Sequence, residues 1–202
     1  MSIPTTGTST AWPLLDDALA LLRDAVAASA GRQDDPTPCE RWTVGQVAFH
    51  AAYDQHAWAS AVDGGPSAGV DPFDPPTHVD GALTDLVDAA VVRASAAWST
   101  VAPDADAIGT PLPQGPMTAQ AAVRACALDA AVHAWDLDVA LGRRPGLTDD
   151  LATELLPVAR TFVEPLRAWG AFAPELAHDT DERPTDTLLR YLGRDPHWQR
   201  PA

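Results

Sequence analysis

The stretch Ala121–Gly142, AAVRACALDAAVHAWDLDVALG, decides the reading of this chain. Its apolar residues recur at helical spacing, and it carries ionisable side chains on the stripe that should face a core. Asp129 and His133 are four residues apart and so stack on one helical face. Cys126, Ala130, Leu137 and Ala140 fall near the same angle as His133, which predicts small and apolar neighbours for the acid and the imidazole. A carboxylate placed there has to be paired, hydrogen-bonded or bound to a metal. An Asp-x-x-x-His pair offers two ligands to one ion; equally, a neutral core histidine can donate a proton to the adjacent carboxylate and bind nothing. Asp136, about 60° from His133 on a helical wheel, is expected to flank the pair, and Asp138, about 140° away, to face solvent.

The rest of the composition suits a helical setting. The chain has 202 residues, 46% hydrophobic and 20% charged, enough for one domain with a proper core. Alanine dominates the apolar set and alternating Val/Ile/Tyr runs are scarce, which argues against an extensive sheet. With 13 Lys+Arg against 28 Asp+Glu the net charge is -15, so a nucleic-acid backbone or an anionic membrane surface would be repelled. No apolar run has transmembrane length and MSIPTTGTSTAW has no signal character, so a cytoplasmic protein is expected. Cys39 and Cys126, the two cysteines, form no C-x-x-C motif and read as structural thiols, with a disulfide between them left open.

Taken in order, residues 1–10 read as a flexible tail ending at a cap on Ser9 or Thr10, and residues 11–202 as a single helical domain. Helix one runs from Leu14 to Val26 and stops at Gly31. Asp34 to Trp42, DDPTPCERW, is a connector whose prolines forbid helix, with Trp42 expected to plug the bundle end. Thr43 and Gln46 form a capping box that opens helix two, which carries His50 inward and ends near Ser60. Residues 61–76, AVDGGPSAGVDPFDPP, form a loop long enough to act as a lid. Thr77 with Asp80 caps helix three, which continues to Trp98. Val101 to Met117 breaks the pattern, with a short extended excursion over Ile108–Leu112. Thr118 caps the central helix, Thr148 opens a fifth helix that Pro157 should kink, and a short final helix spans Thr185–Leu192.

If the helices carrying His50 and the Asp129/His133 pair are bundle neighbours, three donors meet in the core with one position open. PTPCERWTVGQVAFH (Pro36–His50), LDAAVHAWDLDVALG (Leu128–Gly142) and LLRYLGRDP (Leu188–Pro196), in this order and spacing, resemble the DinB-like metal-binding four-helix bundles. Within them the chain is similar to the actinobacterial proteins related to the N-terminal domain of mycothiol-dependent maleylpyruvate isomerase. The resemblance implies an all-α, up-and-down four-helix bundle with extra C-terminal helical segments, and a homodimer. It also implies one divalent metal on His50, Asp129 and His133: zinc first, with nickel, iron or manganese as alternatives. Where the isomerase has glutamate, this chain has Asp129. Mycothiol or a similar thiol would be the cosubstrate of a transferase or isomerase acting on a small molecule. Gln46, Tyr53 and Asp54 would surround the ligands. The competing expectation is a non-catalytic metal-binding bundle with a structural, sensing or interaction role.

Overall fold

Leu15, Ala18, Leu19, Leu22, Ala25 and Val26 line one face of α1 (Pro13–Ala27) and are buried there, as their spacing dictates. Pro13 opens the helix at a position where its missing N–H costs nothing. In this computed structural model residues 11–71, 73–79 and 81–201 are described; the expected tail, with its cap at Ser9 or Thr10, lies outside them. Five further helices follow: α2 (Val44–Asp63), α3 (Leu83–Trp98), α4 (Ala119–Ala140), α5 (Asp149–Arg167) and α6 (Pro184–Tyr191). Among the described residues the extended structure is confined to two isolated antiparallel bridges, Pro36 with Thr43 and Ile108 with Met117. The chain is an all-α bundle.

The main helix interfaces are α2 on α3 and α1 on α4, and α2 on α4 with α1 on α3 complete a ring. Consecutive helices α1 and α2 therefore take opposite corners, and the connector between them crosses one end of the bundle. α5 packs on the outside of α4, and α6 on α5. This leaves α4 enclosed by α1, α2 and α5. Seventeen of its 22 residues are buried, so it has no solvent face along most of its length.

That enclosure overturns the solvent position expected for Asp138, which is 4% exposed. Its Oδ2 accepts from the Gly146 N–H at 3.1 Å and its Oδ1 lies 3.4 Å from Arg143. Burial raises its pKa against the lowering effects of the Gly146 bond and the Arg143 charge. Asp136, expected only to flank, is completely buried. Two element boundaries also move. α2 runs on to Asp63, where Gly64 at φ +68° caps it. α3 starts at Leu83 behind Ala82 with no side-chain cap, because Gly81 at φ +85° breaks the backbone after Thr77; Asp80 lies outside the described residues. α5 passes through Pro157 and Pro165 without a break.

Candidate metal centre

The site is assembled by two well-defined helix starts. At α2, Thr43 Oγ1 accepts from the Gln46 N–H and the Gln46 side chain accepts from the Thr43 N–H, the predicted capping box. At α4, Thr118 accepts from the Ala121 N–H. With both helices anchored and packed on each other, His50 comes to face Asp129 and His133 in mid-bundle. One donor atom from each of the three lies within 4.8 Å of the others. The two imidazoles meet edge to face, with centroids 4.8 Å apart and planes at 88°. Both histidines are buried, at 5% and 7% exposure.

Asp54, one turn after His50, joins this cluster. His50 Nε2 lies 3.4 Å from Asp54 Oδ2, and His133 Nε2 lies 3.5 Å from Asp129 Oδ1. Donors each about 2.1 Å from a tetrahedral ion are about 3.4 Å apart, so each pair has the spacing of two ligands on one divalent cation. The Asp129 carboxylate is held from its far side by Gln55, whose Nε2 donates to Oδ2 at 3.1 Å. Gln55 is itself fully buried and accepts from the Cys126 thiol at 3.2 Å. Asp54 and Asp129 are hydrogen-bonded to each other, and both are driven well above the usual carboxylate range. Burial is the main cause in each case; for Asp129 the Asp54 charge adds to it, and His133 and His50 pull the other way. Two partly buried carboxylates are thus pressed together between the helices, offset by imidazoles. A cation placed among them would reverse that logic.

A second donor group, Cys39, His133 and Asp136, lies on the other side of the same imidazole. It is already neutralised. Arg194 places Nε 2.9 Å from Asp136 Oδ1 and Nη2 2.8 Å from Oδ2, a two-point fork. Asp136 Oδ2 also accepts from Cys39 Sγ at 3.3 Å and pairs with His133 Nδ1 at 3.1 Å. Burial pushes Asp136 up, but the Arg194 charge and the bonds from His133 and Arg194 outweigh it and hold the carboxyl far below its ordinary range. The Cys39 thiol is driven up, first by burial and then by the Asp136 charge. Cys39 and Cys126 are both free thiols, which closes the disulfide question.

Aromatic rings flank His50. The Trp42 ring, expected at the bundle end, lies 4.6 Å from it, and Phe73 from the 64–82 loop lies 5.5 Å away while remaining 58% exposed. Gln46, besides capping α2, donates to the Pro75 carbonyl at 3.1 Å and so ties that loop down. Tyr53 packs on Phe49 and His56. Of the three residues expected around the ligands, Asp54 is the one that reaches both a histidine and Asp129. Arg194, Gln55 and Phe73 are the members sequence reading missed. A fully buried glutamine and an arginine 58 residues from its partner leave no periodic signal.

No helix among the described residues is long and apolar enough to cross a membrane. The sequence is 32% identical over 165 residues to an uncharacterized protein of Mycobacterium tuberculosis strain H37Rv, covering 79% of this chain and 83% of that protein. The same figures hold for an uncharacterized protein of strain CDC 1551. No solved structure matches. Residues 12–138, which contain α1 to α3 and nearly all of α4, match the mycothiol maleylpyruvate isomerase N-terminal domain. The match takes in His50, Asp129 and His133 and covers more than half of an all-helical chain, and on that ground the chain belongs to the mycothiol maleylpyruvate isomerase N-terminal domain family.

Proposed function

We propose that this protein binds one divalent metal through His50, Asp129 and His133 and uses it, with a low-molecular-weight thiol of the mycothiol type, in a transferase or isomerase reaction on a small electrophile. The observation that carries the metal reading is the contrast between the two acidic clusters that share His133. Asp136 is neutralised by a guanidinium, whereas Asp54 and Asp129 face two imidazoles and each other. Zinc fits a donor set of two nitrogens and carboxylate oxygen, and nickel, iron and manganese are chemically compatible. When bound, the ion would supply Lewis acidity and favour the thiolate form of a coordinated thiol.

The protein's own groups have separate tasks. Gln55 fixes one oxygen of Asp129, leaving the other turned to His133. Asp54 is placed to take the proton released by the thiol, because its carboxyl sits beside the donor set and burial favours its protonated form. Trp42 and Phe73 would wall the approach to His50 against water and give an apolar substrate a surface to lie on.

The test is metal content by elemental mass spectrometry. About one equivalent is expected in the wild type, lost in His50→Ala and in His133→Ala. A wild type that takes up no zinc, nickel, iron or manganese overturns the reading and leaves Asp129 and His133 as facing side chains that hold no ion.

A second reading, a metal site without turnover, rests on Asp54. As a fourth protein donor it would close a tetrahedral site, the arrangement of structural zinc. Cobalt substitution separates the two. A sulfur-to-cobalt charge-transfer band on adding mycothiol supports an open position, and its absence in the wild type with appearance in Asp54→Ala supports the closed site.

A further inference from the structure

We propose that Asp136 and Arg194 are positioning residues that hold the His133 ring with Nδ1 protonated and the Nε2 lone pair turned toward His50 and Asp129. His133 stands between two carboxylates. On one side Nδ1 is 3.1 Å from Asp136 Oδ2, a hydrogen bond; on the other Nε2 is 3.5 Å from Asp129 Oδ1, too long for a good one. One neutral imidazole has one ring proton, and the shorter bond places it on Nδ1.

Asp136 can serve as that acceptor because it cannot move. It is fully buried, and four donors saturate it: Arg194 Nε on Oδ1, and Arg194 Nη2, Cys39 Sγ and His133 Nδ1 on Oδ2. Arg194 is held in turn by the chain end of α6, since its N–H donates to the Leu189 carbonyl at 2.8 Å, and Gly193 at φ +78° makes the turn that delivers it. A Cβ on Gly193 would come within 2.8 Å of the Ala173 and Pro174 carbonyls, so the turn is spatially as well as conformationally restricted. The segment after α6, outside the part of the chain that matches the family, therefore reaches back to orient a side chain at the bundle centre. Its consequence for metal affinity rests on the metal reading above; the orientation of the ring does not.

The experiment reads the His133 tautomer in the metal-free full-length protein by long-range proton–nitrogen NMR at about pH 9, well above the ordinary imidazole pKa of ~6.5. The wild type is expected to show Nδ1–H, and Asp136→Asn a shift toward Nε2–H. Zinc affinity, measured by chelator competition, should fall by roughly 10–100-fold in Asp136→Asn and in Arg194→Met. Arg194→Lys should recover part of the loss. The Arg194 variants are made in a Cys39→Ser background, so that the vacated thiol cannot capture zinc, and are compared with Cys39→Ser alone. If Asp136→Asn does not fold, the Arg194→Met and Arg194→Lys pair carries both readouts. A wild-type His133 with Nε2 protonated, or variants that keep both tautomer and affinity, overturn the proposal. A wild type that binds no zinc but shows the expected tautomer, lost in the variants, defeats the metal reading and upholds the ring orientation.

Discussion

Asp129 meets opposing demands at a single side chain. Its carboxylate is half-buried beside that of Asp54, which disfavours charge, yet Gln55 holds it facing the imidazoles. Removing its charge should therefore help the metal-free protein and harm the loaded one. Asp129→Asn is expected to raise the metal-free melting temperature by about 2–4 °C, the equivalent of about 1 kcal/mol in a chain of this size. The further rise on adding zinc should shrink. Calorimetry with and without chelator checks both. A fall in metal-free stability would instead mean that the carboxylate is a satisfied structural acceptor. The Asp129/His133 pair was legible from residue type and the i, i+4 rule and His50 from its inward stripe, whereas their meeting was expected from the resemblance and on the condition that the two helices are neighbours. Asp54 was legible only as a neighbour of His50, because the wheel gives its angle and not the reach of Asp129 from another helix. Asp136 and Asp138 were misjudged for one reason: a wheel sorts residues by angle and presumes a wet face, and α4 has almost none.

Among the elements, α2 depends most directly on local chemistry. Its start rests on the reciprocal Thr43/Gln46 bonds, so Thr43→Ala should cost about 1 kcal/mol, read as a shift in the denaturation midpoint. The end of α2 is constrained by the 99–118 connector. A Cβ on Gly109 would lie 2.2 Å from the Ala61 carbonyl oxygen, so Gly109→Ala must push the connector off α2, and a loss of about 1–3 kcal/mol is expected in the same measurement. The segment leading into α6 carries a pH-dependent clasp, His178 between Glu182 and Glu175. The bonds to Glu182 and then Glu175 raise the His178 pKa, so the clasp contributes fully below the unfolded value of ~6.5 and is lost as pH rises through the higher folded value. An NMR titration should place His178 above 6.5, with protection of amides 175–182 falling over the same range. A midpoint at or below 6.5 would remove the clasp. The caps at Thr43, Thr118 and Thr148 were readable because they are written within three or four consecutive residues. The start of α3 was not: Thr77 and Asp80 have the cap spacing, but positive φ at Gly81 separates them from the helix.

At the scale of the whole molecule, the bundle is built on alanine. Ala51, Ala90, Ala94, Ala122, Ala130 and Ala152 are all fully buried, which lets helix backbones approach closely enough for His50 and His133 to touch. Close packing leaves no room for growth: Ala51→Leu and Ala94→Leu should each destabilise by about 1–3 kcal/mol in chemical denaturation, even though both add apolar surface. By itself the sequence determined the helical class, the order of the helices, the caps on α2 and α4, and the inward stripes that carry His50 and the Asp129/His133 pair. Those follow from periodicity and capping, which act over a few residues and leave their pattern in the local order of the chain. Only the tertiary structure decided that α1 and α2 lie on opposite corners, that α4 is wrapped on all sides, and that Phe73 from a loop rests on His50. It also decided which of two acidic clusters is neutralised, because Arg194 reaches Asp136 across 58 residues of chain. A buried charge is stabilised by whichever partner packing brings to it, and that partner's sequence position carries no trace of the contact.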